Sequence, residues 1–391
     1  MGTGKITEKR TEEQRRAEAL ALLKHILDIP SVNGKDREQE TAVYLAEYLK
    51  RKGMETRVQL IDEHHGNVIG VLKGKTEETI LFNGHLDTVP YGDINEWNTN
   101  PAVCTEQDGR LYARGASDMK SGLAVMAFVL GELAESGCVP RKTIVFAGTC
   151  DEERGGLGAK EIIKEYPDLF PELLLIGEPT SCQAGVAQKG CIWLKLSVSG
   201  KTSHGAEPWQ GINALEQGFG LLADLREELK REEHPVLGHS TLQITMAEGG
   251  IAPNMTPDRA KFLADIRIVP PLNEKEVLNR LECLMQKRCE VYNGGLSFTP
   301  EISNYRMPVE TGPKNQWLHR LKGFIGDNAG ETGINYFTDA SIFLTAWPDS
   351  PALLFGPGEP QMCHKPNEYV EISKYFEAIR VMEKFCWYIA K

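Results

Sequence analysis

This sequence has no basic surplus. Lys and Arg number 44 against 55 Asp and Glu, a formal net charge of -11. A chain that grips a phosphate backbone needs a basic face, so no nucleic-acid partner is expected. Long apolar runs are missing too. No stretch approaches the roughly 18 apolar residues of a membrane-spanning helix, so no membrane partner is expected either. The N-terminal MGTGKITEKRTEEQRR is charged and polar. It lacks the apolar core of a secretory leader. Its Met-Gly start carries Ile6 where an acylation signal has Ser or Thr. The nine cysteines include no Cys-x-x-Cys pair. That usage fits free buried thiols in a reducing, cytoplasmic compartment. Several catalytic signatures are absent as well. There is no His-Glu-x-x-His and no Gly-x-Ser-x-Gly, and Gly200-Lys201-Thr202 has Lys195 where a P-loop needs its first glycine.

The composition that remains is that of a globular enzyme, 41% hydrophobic and 25% charged. A length of 391 residues exceeds what one core usually serves, so two domains are expected. Thr11 and Gln14 form a capping box before an apolar-periodic run that ends near Ile29. Asp36 is placed to cap a second helix that stops at Gly53. Short β-rich runs follow at 67–72, 79–82, 143–147 and 173–176, with a small-residue buried helix at 121–133. The last three runs are almost wholly apolar, as strands covered on both faces are. The expectation is an α/β fold, a mixed sheet sandwiched by helices. The pattern changes near Gln183. A strand at 191–199, a helix near 212–233, strands at 240–247 and 259–269, a helix near 273–290 and a strand at 296–300 give β-α-β-β-α-β, a ferredoxin-like α+β unit. The final stretch returns to helices and apolar runs, so this unit reads as an insertion. The expected boundaries are 1–182 with 303–391 for one domain and 183–302 for the inserted one.

Each buried run of the first domain leads into a polar cluster. Phe82 precedes Asn83-Gly84-His85-Leu86-Asp87, Ala147 precedes Gly148-Thr149-Cys150-Asp151-Glu152-Glu153, Ile176 precedes Gly177-Glu178, and Phe355 leads towards His364. Ligand sites in open α/β sheets lie at the carboxyl ends of the strands, so the four clusters converge on one rim. Singly, each has an ordinary structural explanation, such as a satisfied core histidine or a solvated acidic loop. Together they supply the imidazoles and carboxylates that a borderline cation needs. Asp87 is placed to hold the second ring nitrogen of His85. A carboxylate at Asp118 can bridge two metals roughly 3.5–4 Å apart. Glu152 and Glu153 are neighbours whose side chains point apart, so one can ligate while the other acts as general base.

The motifs GHLDTVP (84–90), GASDMKSG (115–122), DEERGG (151–156), GEPT (177–180), SHGAEPWQGINA (203–214), GGIAPNMTPDRA (249–260) and GPGEPQMCHKPNEYV (356–370) occur in this order. In them the chain resembles the dinuclear zinc family of acetylornithine deacetylase, succinyl-diaminopimelate desuccinylase, aminoacylase and glutamate carboxypeptidase. The resemblance covers nearly the whole chain. It implies a zinc-exopeptidase-like catalytic domain with an inserted lid and dimerisation domain, and two Zn (or Co) ions per subunit. By resemblance His85, Asp118 and Glu178 bind one ion, and Asp118, Glu153 and His364 the other. Glu152 is then the base, Asp87 the partner of His85, and His204 a donor to the oxyanion. Asn254 and Arg267 lie near the substrate, and the Asp118–Met119 peptide is cis. A homodimer through the inserted domain is implied as well.

The expected activity is hydrolysis of an amide in a small N-acyl amino acid. The alternative is an exopeptidase on the same metals, acting on short peptides. A binding protein that kept the fold would have lost Glu152 or a ligand, and none is lost. A thiol enzyme using Cys363 beside His364 is a further rival.

Overall fold

The computed structural model describes residues 10–391, so the leader and acylation readings of the first residues, Ile6 included, lie outside the described residues. The chain divides into two compact units. The first runs to Val186 and resumes over Thr311–Glu331 and Phe343–Lys391, and the second comprises Ala187–Glu310 and Thr332–Ile342.

The first unit opens with helix Glu12–Leu27, capped reciprocally by Thr11 and Gln14. The second helix, Gln39–Arg51, takes Glu38 as its N-cap rather than Asp36. Asp36 is used locally instead, accepting the Val32 N–H at 2.9 Å. The sheet behind the site is mixed. Strands run in the order Glu55–Leu60, Gly66–Leu72, Lys142–Thr149, Thr76–His85, Leu173–Ile176, Ala352–Leu354, Ala184–Gln188. Its centre is parallel: Lys142–Thr149, Thr76–His85, Leu173–Ile176 and Ala352–Leu354 all point one way. Register pairs His85 with Thr149 and Asn83 with Ile176, so the polar clusters leave the sheet side by side. Val, Ile, Leu and Phe fill these strands because both faces are covered.

Helix Lys120–Glu135 is apolar nearly all round and buried along most of its length, as a helix enclosed by other layers must be. It reaches the strand ends through glycine. A Cβ on Gly122 would come 1.8 Å from the Gly177 carbonyl oxygen. Only a residue without a side chain lets the helix start there, and that start carries Asp118 up to the turn that bears Glu178.

The second unit has the order expected for a ferredoxin-like fold. Strands Gly190–Ser199, Thr241–Gly249, Arg259–Ile268 and Ser297–Arg306 form an antiparallel sheet with the third beside the first and the fourth on its other side. Helices Ala214–Leu229 and Glu274–Val291 interleave with them and are capped by Asn213 and Asn273. The shared core joins Leu194, Leu196, Leu222, Leu225, Phe262 and Ile266. The 302/303 boundary falls inside the strand Ser297–Arg306, and the unit continues to Glu310. Pro300, where the strand was expected to end, is tolerated because this is an edge strand, where a missing N–H need not break a ladder. All nine cysteines are free, and Cys283 is exposed rather than buried. Among the described residues no helix is long and apolar enough to cross a membrane.

Candidate metal centre

In the first unit, ligand atoms of His85, Asp118 and Glu178 lie within 4.8 Å of one another, as do those of Asp118, Glu153 and His364. Asp118 belongs to both groups. His85 ends its strand and is almost wholly buried. Its Nδ1 meets the Asp87 carbonyl oxygen at 2.9 Å, while Nε2 points to Asp118 Oδ1 at 3.1 Å and Glu178 Oε1 at 4.0 Å. Nδ1–H donates to that carbonyl, which leaves the Nε2 lone pair facing inward. His364 Nε2 faces Asp118 Oδ2 at 3.4 Å and Glu153 Oε2 at 3.1 Å. The Asp118–Met119 peptide is cis, as the sequence reading expects.

The electrostatics show what this pocket wants. A bare imidazole nitrogen and a carboxylate oxygen are both acceptors, and they attract only with a cation between them. Without another cation, that cation is a proton. Burial pulls His85 down, yet the Asp118 hydrogen bond and the charges of Asp87, Asp118 and Glu178 outweigh it, so its pKa lies well above the usual value. Hydrogen bonds to Asp118 and Glu153 raise His364 to about 10. Burial pushes Asp118 up, but the two histidines pull it below the usual carboxylate range. Glu153 is raised, chiefly by burial. Three carboxylates and two imidazoles around one hollow carry a surplus of negative charge when the rings are neutral. The residues therefore fit a pair of divalent cations held by mixed nitrogen and oxygen donors.

Asp87 partners His85 through its backbone carbonyl rather than its carboxylate. Its carboxylate stands 3.7 Å from His85 Nδ1. The chain's own carbonyl, closer to the ring, takes that N–H instead. The freed carboxylate accepts the Glu152 N–H at 3.2 Å and the Glu153 N–H at 3.1 Å. It thereby holds the turn on which the buried Glu152 sits.

Sequence reasoning missed Glu368. Its fully buried carboxylate accepts N–H groups from Gly115 (3.0 Å), Ser117 (2.8 Å) and Asp118 (2.9 Å), and pairs with Arg114 at 2.8 Å. It ties the Asp118 turn to the segment that carries His364. Burial raises its pKa, against the pull of Arg114. The available signal was an acid inside one ligand motif and an arginine immediately before another.

The second unit carries the remaining candidates. His204 is exposed, and its Nδ1 accepts the Ala206 N–H at 3.1 Å, which leaves Nε2 as the donor side. Asn254 is exposed, and its carbonyl accepts the Gly205 N–H at 2.8 Å, joining two of the motifs. Arg267 is half-buried and already held by Asp265 through bonds of 2.7 and 3.1 Å. Cys363 directs its Sγ to the Glu359 carbonyl at 3.8 Å.

The model of peptidase family M20/M25/M40 matches residues 81–388. Among curated relatives, acetylornithine deacetylase of Shigella sonnei is 30% identical over 361 residues, covering 88% of this chain and 90% of that protein. The fold is shared with aminopeptidase PepT of Bacillus cereus, at 19% identity and TM-score 0.76, covering 96% and 99% of the two chains. It is also shared with a dinuclear metal-binding peptidase of Bacillus subtilis, at 13% identity and TM-score 0.73, covering 97% and 99%.

Proposed function

The chain belongs to peptidase family M20/M25/M40 and is a metal-dependent hydrolase, and from that premise we propose that it removes the acyl group from a small N-acyl amino acid. The observation that carries the reading is the sharing of Asp118 between two ligand groups. We assign His85, Asp118 and Glu178 to one ion and Asp118, Glu153 and His364 to the other, zinc or cobalt in each case. Two divalent cations held there would supply Lewis-acid polarisation of the scissile carbonyl and would lower the pKa of the attacking water towards about 7.

The chain's own groups do the rest. Glu152 takes a proton from the attacking water as its oxygen bonds to the carbonyl carbon. The C–N bond then breaks, and Glu152 returns that proton to the leaving amine, so the carboxylate is regenerated. Asp87 keeps Glu152 in place through the backbone of the turn. His204 donates from Nε2 to the oxyanion that develops on the carbonyl. Asn254 and Arg267 contact the substrate, and Asp265 sets the plane of the Arg267 fork. We further assign the second unit the roles of lid and dimer contact, giving a homodimer, and place the enzyme in the cytoplasm, where nine free thiols persist.

The deacylase reading leads over exopeptidase action because a deacetylase is 30% identical over most of its length. A panel of N-acetyl-ornithine, N-succinyl-diaminopimelate and dipeptides decides between them. Preferred turnover of the dipeptides would move the assignment to an exopeptidase. Glu152→Ala should lower kcat by about 100- to 10,000-fold with metal content unchanged. Near-wild-type turnover of that variant would remove Glu152 as the base.

A further inference from the structure

The turn that carries Glu152 and Glu153 hangs from residues far outside its own motif. Asn33 is buried, and its Nδ2 donates to Asp87 Oδ2 at 2.7 Å and to Asp151 Oδ1 at 3.1 Å. Asp87 accepts the backbone N–H groups of Glu152 and Glu153. Asp151 stands directly before them with φ of 62°, in the left-handed region that Asp enters more readily than most side-chain-bearing residues. Its own N–H donates to Glu38 Oε2 at 2.9 Å, and its Oδ2 accepts the Leu157 N–H at 3.1 Å. One side-chain amide thus links the two carboxylates on either side of this turn.

Chemistry fixes which way this amide faces. Two carboxylates offer only lone pairs, so the NH2 group must point at them. The Asn33 Oδ1 is left buried without a hydrogen-bond partner among the described residues, which is the cost of that orientation. The backbone position of Asn33 does not depend on its side chain. Its N–H donates to the Thr88 carbonyl at 2.9 Å, and the Thr88 N–H returns to the Ser31 carbonyl at 2.9 Å.

We propose that Asn33 is a positioning residue for the reaction: by linking Asp87 to Asp151 it sets the Glu152–Glu153 turn against the rest of the ligand cluster. The role rests on the hydrolytic function proposed above. A small displacement of a reacting group is enough to matter, since about 1 Å can cost on the order of 100-fold in rate.

The test compares Asn33→Asp, Asn33→Ser and Asn33→Ala in the full chain. Asp keeps the shape of Asn but sets a third carboxylate against two. Ser keeps one donor, and Ala keeps none. Two readouts are taken: steady-state hydrolysis, and cobalt(II) titration of metal-free protein followed by visible absorption. The tether predicts that kcat falls about tenfold or more in the Asp and Ala variants and less in the Ser variant, with KM little changed. It also predicts that cobalt binding weakens at one equivalent only, the one missing in Glu153→Ala. A packing role would rank the variants by volume and leave Asn33→Asp nearest the wild type. That ranking, or equal weakening of both equivalents, overturns the proposal. The mild Ser substitution keeps the question open to measurement even if the Asp variant does not fold. A wild type that hydrolyses nothing on the panel defeats the function, while the titration still judges Asn33.

Discussion

In the first unit most polar residues of the site are buried and cross-linked, His364 alone being exposed, whereas in the second His204 and Asn254 stand at the surface and Arg267 is half-buried. His85, Asp118, Glu152 and Glu178 are all buried, and the loops between them are fastened by Asp87 and Glu368. His204 and Asn254 are exposed and fastened mainly through backbone bonds of their own segments. The difference agrees with the roles proposed for each set. Charges that hold metal have to be kept together against their mutual repulsion, which takes a dry, rigid shell. Groups that meet a substrate have to stay reachable.

That contrast can be broken by experiment, and the hardest blow is at Asp118. Because both ligand groups share it, Asp118→Ala should remove both metal equivalents and all measurable activity. A variant that keeps two metals by elemental analysis would show that the groups do not share the residue. Next comes His204→Ala, with an expected loss of about 100- to 1,000-fold in kcat and metal content unchanged. Metal loss in that variant would erase the division of labour between the units. Gly122→Ala should cost about 1–3 kcal/mol of stability by forcing the helix off the Gly177 carbonyl, read as a lowered melting temperature. The smallest effect is expected at the exposed Cys283 of the second unit, where Cys283→Ser should stay within about 0.5 kcal/mol of the wild type.

The grouping of the candidate metal ligands was legible in the chain itself. The ligand types sit where apolar strand runs stop, and a parallel sheet brings such ends to one side. The ferredoxin-like order was legible too, because alternation and helical period switch visibly along residues 190–306. The strand ending at Arg306 was cut short because an internal proline reads as a stop when its edge position is unknown.

The sequence by itself determined which residues can hold metal and in what order the strands present them. Only the tertiary structure decided that the Asp87 carboxylate serves the Glu152–Glu153 turn, that Glu368 binds the Asp118 turn, and that Asn33 joins Asp87 to Asp151. The reason is physical. Periodicity reports which face a residue shows to its neighbours in the chain, whereas a hydrogen bond such as that from Ser117 to Glu368 spans 251 positions and leaves no period behind.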